Sequence, residues 1–149
     1  MTIFNLYFSF IRKLNLLSKS VQYSNICGLF SEINKPERHA KEAIKSALKL
    51  LSIVPEMSEK YGTEIHLTIG ANTGCPIIAG VLSFENTTFQ IIGTVNEIAD
   101  QIKNKGIQNQ ICIARAVYEL IFSASFKVQE QGDISIRGGE VIPTYSFRL

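Results

Sequence analysis

The feature that most constrains the fold of this chain is a series of three short apolar segments, spaced by glycines, within residues 63–100. The first segment alternates apolar with polar or small side chains, and its apolar residues are Ile65, Leu67 and Ile69. That period of two is typical of a half-buried strand. The turn-forming run Asn72-Thr73-Gly74, in which Gly74 can take a positive φ, predicts a hairpin to the next segment. The whole stretch therefore predicts strand, hairpin, strand, short loop, strand and helix.

The size and composition of the chain are those of an ordinary globular domain. Its 149 residues suit one compact domain, and the formal net charge of +2 indicates no nucleic-acid partner. The three cysteines have no paired spacing, which favours a reducing compartment without a disulfide framework or a zinc site. No apolar run approaches the roughly 20 residues that cross a bilayer. We therefore expect a cytoplasmic domain with no membrane span, either free or as a fragment of a larger membrane-attached protein.

The N-terminal segment predicts an amphipathic helix over residues 3–18. Its apolar residues at helical spacing are Leu6, Phe10, Leu14 and Leu17. We expect this helix to pack on a sheet; a signal segment or a helix lying on a membrane surface is the alternative.

The rest of the chain alternates helical and strand patterns. A long helix is predicted from Pro36, a favoured first helical residue, to a C-terminal signal at Gly62, with a kink or restart at Pro55. A short helix is predicted over residues 115–121. Strands are predicted over residues 20–30, 110–114, 126–129, 133–136 and 141–147, the third and fourth pairing around Gln131-Gly132. Pro143 predicts an edge or a bulge in the last strand.

The glycine-punctuated string resembles the catalytic domain of the class III nucleotide cyclases, the adenylate and guanylate cyclase family. The matching runs are Thr68-Ile69-Gly70-Ala71-Asn72-Thr73-Gly74, Ile77-Ile78-Ala79-Gly80-Val81-Leu82 and Ile91-Ile92-Gly93. The resemblance covers about residues 28–149 and implies a single, partial catalytic domain over residues 1–149. It implies an α+β, ferredoxin-like nucleotide cyclase fold, with a β-α-β-β-α-β core and a C-terminal hairpin. The family's first strand, with the motif F-x-D-h-x-G-F, is missing from this chain, which would leave a sheet edge for a partner to cover.

The resemblance also implies an activity, a cofactor and a partner. Family members form cyclic AMP or cyclic GMP from ATP or GTP in intracellular signalling, as dimers that use Mg²⁺ or Mn²⁺ ions held by two aspartates. One of those aspartates falls at Val21 here, and the other belongs to the missing strand. The metal ligands are thus not found in this chain. We expect the isolated chain to be inactive or weak, and to pair as a homodimer or as a heterodimer with another cyclase domain.

Four residues take the family's functional positions by resemblance. Aligned without a gap, Thr94 replaces an Asp that reads the purine, Glu97 an Asn that orients the ribose, and Gln101 an Arg that stabilises the pentacoordinate phosphorus. A one-residue gap would instead place Asn96 on that Asn. Arg137 falls where the family has a Lys that contacts the phosphates. The candidates are therefore Gln101 and Glu97 as catalytic residues and Thr94 and Arg137 as substrate-binding residues, against the alternative of a solvated helix face and hairpin turn.

Three functions remain open from the sequence. The first is a nucleotide cyclase, either as part of a longer true product or paired with a subunit that supplies the aspartates. The second is a catalytically dead cyclase-like module for dimerisation or nucleotide binding, and the third is a truncated remnant without a stable fold. Metal-dependent turnover beside a complete cyclase chain, nucleotide binding without turnover, and absence of a cooperative unfolding transition distinguish the three. The choice between ATP and GTP stays open.

Overall fold

The computed structural model describes the backbone of residues 2–11, 18–27, 35–74, 77–82 and 87–147, and the side chains of residues 35–74 and 93–147. Within these ranges there are eight strands and three helices. In chain order they are β1 (Thr2–Ile11), β2 (Ser18–Cys27), α1 (Pro36–Tyr61), β3 (Glu64–Thr73), β4 (Ile77–Leu82), β5 (Thr87–Ile92), α2 (Thr94–Lys105), β6 (Gln110–Ala114), α3 (Arg115–Ile121), β7 (Val128–Ser135) and β8 (Val141–Phe147).

Six strands form one mixed sheet with the spatial order β2-β1-β3-β6-β8-β7. β3 and β6 are parallel, and the other neighbours in this sheet are antiparallel. Helices α1 and α3 pack on one face and α2 on the other, so alternate residues of β3 and β6 belong to different cores. This arrangement confirms the predicted α+β fold class.

The main core lies between α1, α3 and the sheet. The apolar face of α1 repeats every three or four residues and packs on fully buried side chains such as Leu67, Ile69 and Ile113. Its buried residues are Ala40, Ala43, Ile44, Ala47, Leu51 and Val54. The helix begins at Pro36 and ends at Gly62 in the left-handed conformation, as predicted, but it continues through Pro55 instead of restarting there.

The prediction of a helix over residues 3–18 is wrong, because residues 2–11 form β1. The misleading signal was a coincidence of spacing, since Leu6 and Phe10 fit a helix and also fit a strand. Phe4, Leu6, Phe8 and Phe10 alternate with other residues at period two, and aromatic residues favour strands. Leu14 and Leu17 lie outside the described residues. β1 pairs with β3 along ten residues and covers that edge of β3, whereas the expected loss of a first strand would have left a sheet edge or a core face uncovered.

The predicted hairpin from β3 to the next strand is also wrong. β4 pairs with β5 in a separate two-stranded sheet, whereas β3 has β1 on one side and β6 on the other. Gly74 is not among the glycines with positive φ. A Cβ at Gly74 would instead collide with the side chain of Val95, so a close approach of α2 is what this glycine permits.

The C-terminal hairpin differs from its prediction in where the chain reverses. Residues 126–136 do not contain two paired strands; β7 is one strand with an irregularity between Glu130 and Gly132. The reversal to β8 follows β7, where Gly138 and Gly139 have positive φ. Pro143 lies one residue before the first β8 residue that pairs with β6, so it occupies a local edge, as predicted.

No helix in the described part of the chain is both long enough and apolar enough to cross a lipid bilayer.

Candidate functional site

The helix that carries three of the four predicted site residues sits directly on β3. A Cβ at Gly70 would overlap the carbonyl oxygen of Ala99 and the backbone nitrogen of Lys103, so only glycine permits this approach. The amide of Asn72, which is 5 % exposed, donates a hydrogen bond to the carbonyl oxygen of Val95 at 3.3 Å. These two contacts fix α2 antiparallel to β3, with its first turn beside the C-terminal end of that strand.

The predicted residues of α2 form one stripe on its surface. Thr94, Glu97 and Gln101 are separated by three and four residues, which places them on the same side of the helix. Thr94 and Glu97 are exposed and Gln101 is half-buried. None of the three side chains has a hydrogen bond or an ion pair with another described residue. Their polar atoms are therefore available to a ligand or a partner.

The C-terminal hairpin packs beside this stripe. Ile98 and Ile102 pack with Ile134, and Ile136 and Ile142 join the same apolar cluster. One turn beyond Gln101, the Nζ of Lys105 donates a hydrogen bond to the carbonyl oxygen of Ser135 at 3.0 Å. Ser135 is the last residue of β7 and stands two residues before Arg137. The end of α2 and the turn of the hairpin are thus held side by side.

Arg137 lies in that turn and is exposed. The turn is closed by hydrogen bonds from the backbone nitrogen of Ile136 to the oxygen of Glu140 at 2.9 Å and from that of Gly139 to the oxygen of Ile136 at 3.1 Å. The guanidinium of Arg137 has no partner among the described side chains. The structure therefore places the four predicted residues on two adjoining elements, and it does not join Arg137 to the stripe by a direct contact.

A part-buried ion pair within α2 was not predicted from the sequence. Lys103 is 3 % exposed, and its Nζ lies 2.5 Å from a carboxylate oxygen of Asp100 one turn earlier. The i, i+3 spacing of opposite charges was a readable signal. Nothing in the sequence, however, indicated that this lysine faces the sheet. The ion pair stabilises the packing of α2 on β3, and it does not present a free cation to a ligand.

Cys112 lies on the α2 face of β6 and is 2 % exposed. Burial raises the pKa of the Cys112 thiol above its ordinary value, which keeps the thiol protonated and unreactive. A Cβ at Gly106 would lie 3.2 Å from its sulfur, so the end of α2 closes over the thiol. The cysteine is a packing residue and no part of the candidate site.

The residues present do not fit a pair of divalent metal ions. Mg²⁺ and Mn²⁺ are held mainly by carboxylate oxygens. The whole sequence contains two aspartates, Asp100 and Asp133, and its first acidic residue is Glu32, so neither β1 nor β2 has a carboxylate. In the side chains that the structure describes, no group of three His, Cys, Asp or Glu residues could hold a metal ion.

The described side chains of the site supply hydrogen-bonding and charged groups, and no metal-ligating cluster of three or more residues is found among them. Thr94 and Gln101 can donate and accept hydrogen bonds, and Arg137 supplies a cation suited to phosphate oxygens. Glu97 in the first turn of α2 favours the positive end of the helix dipole but would repel an anionic ligand.

The family model and the curated relatives that match this chain are all adenylate or guanylate cyclases. The family model described as the adenylate and guanylate cyclase catalytic domain matches residues 19–148. Among curated proteins, the chain is 25 % identical to the human guanylate cyclase soluble subunit beta-2 over 108 residues, which is 72 % of this chain and 17 % of that protein. It is 28 % identical to the germination-specific adenylate cyclase of Dictyostelium discoideum over 114 residues, 75 % of this chain and 13 % of that protein.

Solved structures agree with the fold. The guanylate cyclase domain of RhGC from Catenaria anguillulae, in complex with GTP, superposes with a TM-score of 0.74 at 14 % identity, over 99 % of this chain and 96 % of that one. The adenylyl cyclase CyaB from P. aeruginosa gives a TM-score of 0.79 at 12 % identity, over 99 % and 93 % of the two chains.

The chain spans only part of its curated relatives, from 8 % of the adenylate cyclase type 9 of Gallus gallus to 24 % of a mycobacterial adenylate cyclase. This chain belongs to the adenylate and guanylate cyclase catalytic domain family.

Proposed function

We propose that this chain is one half of a nucleotide cyclase dimer, which holds ATP or GTP beside α2 and forms cyclic AMP or cyclic GMP only with a second cyclase domain. The observation that carries the proposal is the fixed placement of the Arg137 turn beside the α2 stripe, through the contact of Lys105 with Ser135. As an isolated chain it is inactive or very weak. ATP and GTP are cytoplasmic nucleotides, and the proposal assigns the domain to that compartment, in intracellular signal transduction.

Each residue has a limited role in this proposal. Arg137 attracts the phosphates, in the position of a family lysine, and Thr94 offers a hydroxyl to the base. Gln101 stands where family members have an arginine, and its neutral amide matches developing charge on a phosphoryl group less well than a guanidinium. We assign no metal-dependent step to this chain, because its residues do not supply the ligands; a heterodimer partner would have to bring them.

A second candidate function is a catalytically dead module that binds a nucleotide or pairs with another cyclase chain, including a second copy of itself, for regulation. Two observations favour it. The side chain at the position of the transition-state arginine is the neutral Gln101, and Glu97 places a negative charge in the first turn of α2. This candidate requires nucleotide binding or dimerisation without turnover under any pairing.

Nucleotide binding by the purified chain tests the shared part of the two candidates. We expect Arg137→Ala to weaken the binding of ATP or GTP at least about tenfold, because a charge-assisted contact contributes roughly 1.5 kcal/mol or more. Lys127→Ala, which removes another exposed cation just before β7, is the matched control and should leave binding unchanged. Equal effects of the two variants, or no binding by the native chain, would reject the placement of phosphates at this turn.

A further inference from the structure

We propose that a second ligand site lies at the opposite end of the sheet, and that it takes a small organic cation with an apolar body. The site is a cleft of about 540 Å³ where the last turns of α1 meet the start of β3 and the loop before β6. Ligand sites typically have volumes of about 300–1,000 Å³. The inference goes beyond the proposed function and does not depend on it.

The cleft is remote from the candidate nucleotide site. α2 begins beside the C-terminal end of β3, whereas the cleft borders Glu64, Ile65 and His66 at the N-terminal end of the same strand. β3 has ten residues, so with a rise of roughly 3.3 Å per residue its two ends are about 30 Å apart. One molecule of nucleotide cannot occupy both places.

One wall of the cleft is apolar. It is formed by side chains from α1, β3 and the loop that follows α2, namely Leu51, Val54, Pro55, Ile65 and Ile107. Ile107 is 49 % exposed and leaves apolar surface in water beside this wall. A hydrocarbon body placed against this wall would remove that surface from water.

The side chains at the polar end of the cleft are held in place by hydrogen bonds. Asn109 has the left-handed backbone conformation. Its side-chain Oδ1 accepts a hydrogen bond from the backbone nitrogen of Leu67 at 3.0 Å, and its backbone nitrogen donates to the backbone oxygen of Leu67 at 2.7 Å. That arrangement directs the Nδ2 of Asn109 to the Nδ1 of His66, at 3.5 Å. Nδ1 of His66 is therefore the acceptor, and its Nε2 donates to Glu64 at 3.3 Å.

The charge at this end is negative. Glu64 is the one acidic residue among those that line the cleft, and no lysine or arginine lines it. A neighbouring depression shares Ser58 and Glu64 with the cleft and adds a second carboxylate, Glu59. Glu59 lies in the last turn of α1, where the helix dipole is also negative. Lys60 lies over the ring of Tyr61 and lines neither cavity.

A buried amide completes the site. Gln110 lines the cleft and is 7 % exposed, yet its side chain makes no hydrogen bond within the described residues. The amide of Gln110 is open to the cleft, so a polar group of a ligand can reach it. Its oxygen can accept a hydrogen bond from an ammonium group that also faces Glu64. The chemistry of the walls thus selects an amine and disfavours an anion.

The experiment compares three probes of equal length, hexylamine, hexanol and hexanoate, by titration into the chain followed by amide NMR shifts. We expect hexylamine to give saturable shifts around Ile107 and Gln110, with hexanol weaker and hexanoate without effect. Glu64→Gln should weaken hexylamine binding at least about threefold, while Glu56→Gln, an exposed carboxylate on α1 outside the cleft, should leave it unchanged.

A second pair of variants excludes an effect on folding. Ile107→Lys places a cation in the cleft at an exposed position and should abolish hexylamine binding, whereas Ile53→Lys, on an exposed face of α1 outside the cleft, should not. Hexanoate binding as tightly as hexylamine, shifts confined to another part of the chain, or unchanged binding in Ile107→Lys would overturn the proposal. Nucleotide is absent throughout, so failure here leaves the proposed nucleotide site untouched, and failure there leaves this site untouched.

Discussion

Replacing Gly70 with alanine should separate α2 from the sheet and destabilise the domain. The added Cβ would overlap two backbone atoms of α2 and would lie 2.8 Å from a third, the Cα of Lys103, where ordinary contact begins at about 3.4 Å. Backbone atoms cannot rotate away as a side chain can. The helix must therefore move outward by at least half an ångström along its contact with β3.

The expected cost follows from overpacking. Extra methyl groups in a packed core typically cost about 1–3 kcal/mol, and rigid backbone neighbours favour the upper end of that range. Alanine also restricts the unfolded chain and suits a strand better than glycine, which returns about 0.5–1 kcal/mol. We expect a net loss of about 2 kcal/mol in the free energy of unfolding, or a fall in Tm of roughly 6–8 °C for a chain of this size.

Urea and thermal unfolding of the purified chain measure this loss, and Gly62→Ala is the matched control. Gly62 caps α1 with a φ of 56° and has open space around it, so alanine there meets only backbone strain of about 1 kcal/mol. A Gly70→Ala variant that loses no more stability than Gly62→Ala would refute the close packing of α2 on β3. An absence of any cooperative transition in the native chain would instead favour the remnant hypothesis.

Three further predictions concern single side chains. Asp100→Asn should cost about 2 kcal/mol in urea unfolding, because it leaves the buried ammonium of Lys103 less well compensated; an unchanged midpoint would show that the pair is dispensable. Burial raises the pKa of the Cys112 thiol above 9.0, so its contribution to stability is complete at neutral pH and falls as the pH rises past that value. Unfolding free energies between pH 8 and 10 should therefore fall less steeply in Cys112→Ala than in the native chain, and identical slopes would contradict this. Thr144→Val should cost about 1 kcal/mol in thermal unfolding, since it removes the 2.7 Å hydrogen bond to the oxygen of Gly132 at the irregularity of β7.

The sequence predicts the parts of this fold in which one period dominates. The helix beginning at Pro36 and the strand that ends at Ala114 are found where periodicity and end signals agree. The N-terminal strand is mistaken for a helix because its apolar residues satisfy both periods over a short stretch, and only pairing with β3 decides between them. The partner of β4 is likewise a tertiary choice, since a glycine-rich connection permits a hairpin without requiring one.

The candidate site can be predicted from the sequence to a similar extent. The stripe of Thr94, Glu97 and Gln101 follows from helical spacing alone, and a shared surface for the three was readable from the sequence. The burial of Lys103 and the contact of Lys105 with Ser135 were not, because they depend on how α2 sits between the sheet and the hairpin. The roles of the four predicted residues remain predictions, and only nucleotide can test them.

The most direct test of the account is cyclase turnover with labelled ATP and GTP, by the chain alone and mixed with a complete class III cyclase chain whose own transition-state arginine has been replaced by alanine. Homodimers of that second chain are inactive, so turnover requires its metal ligands together with the α2 half of this one. We expect no turnover by the chain alone, weak turnover by the mixture, and at least a tenfold gain when this chain carries Glu97→Asn and Gln101→Arg. Mg²⁺-dependent turnover by the unmodified chain alone would contradict the account. If the mixture shows no turnover even with both substitutions, the regulatory module remains as the function.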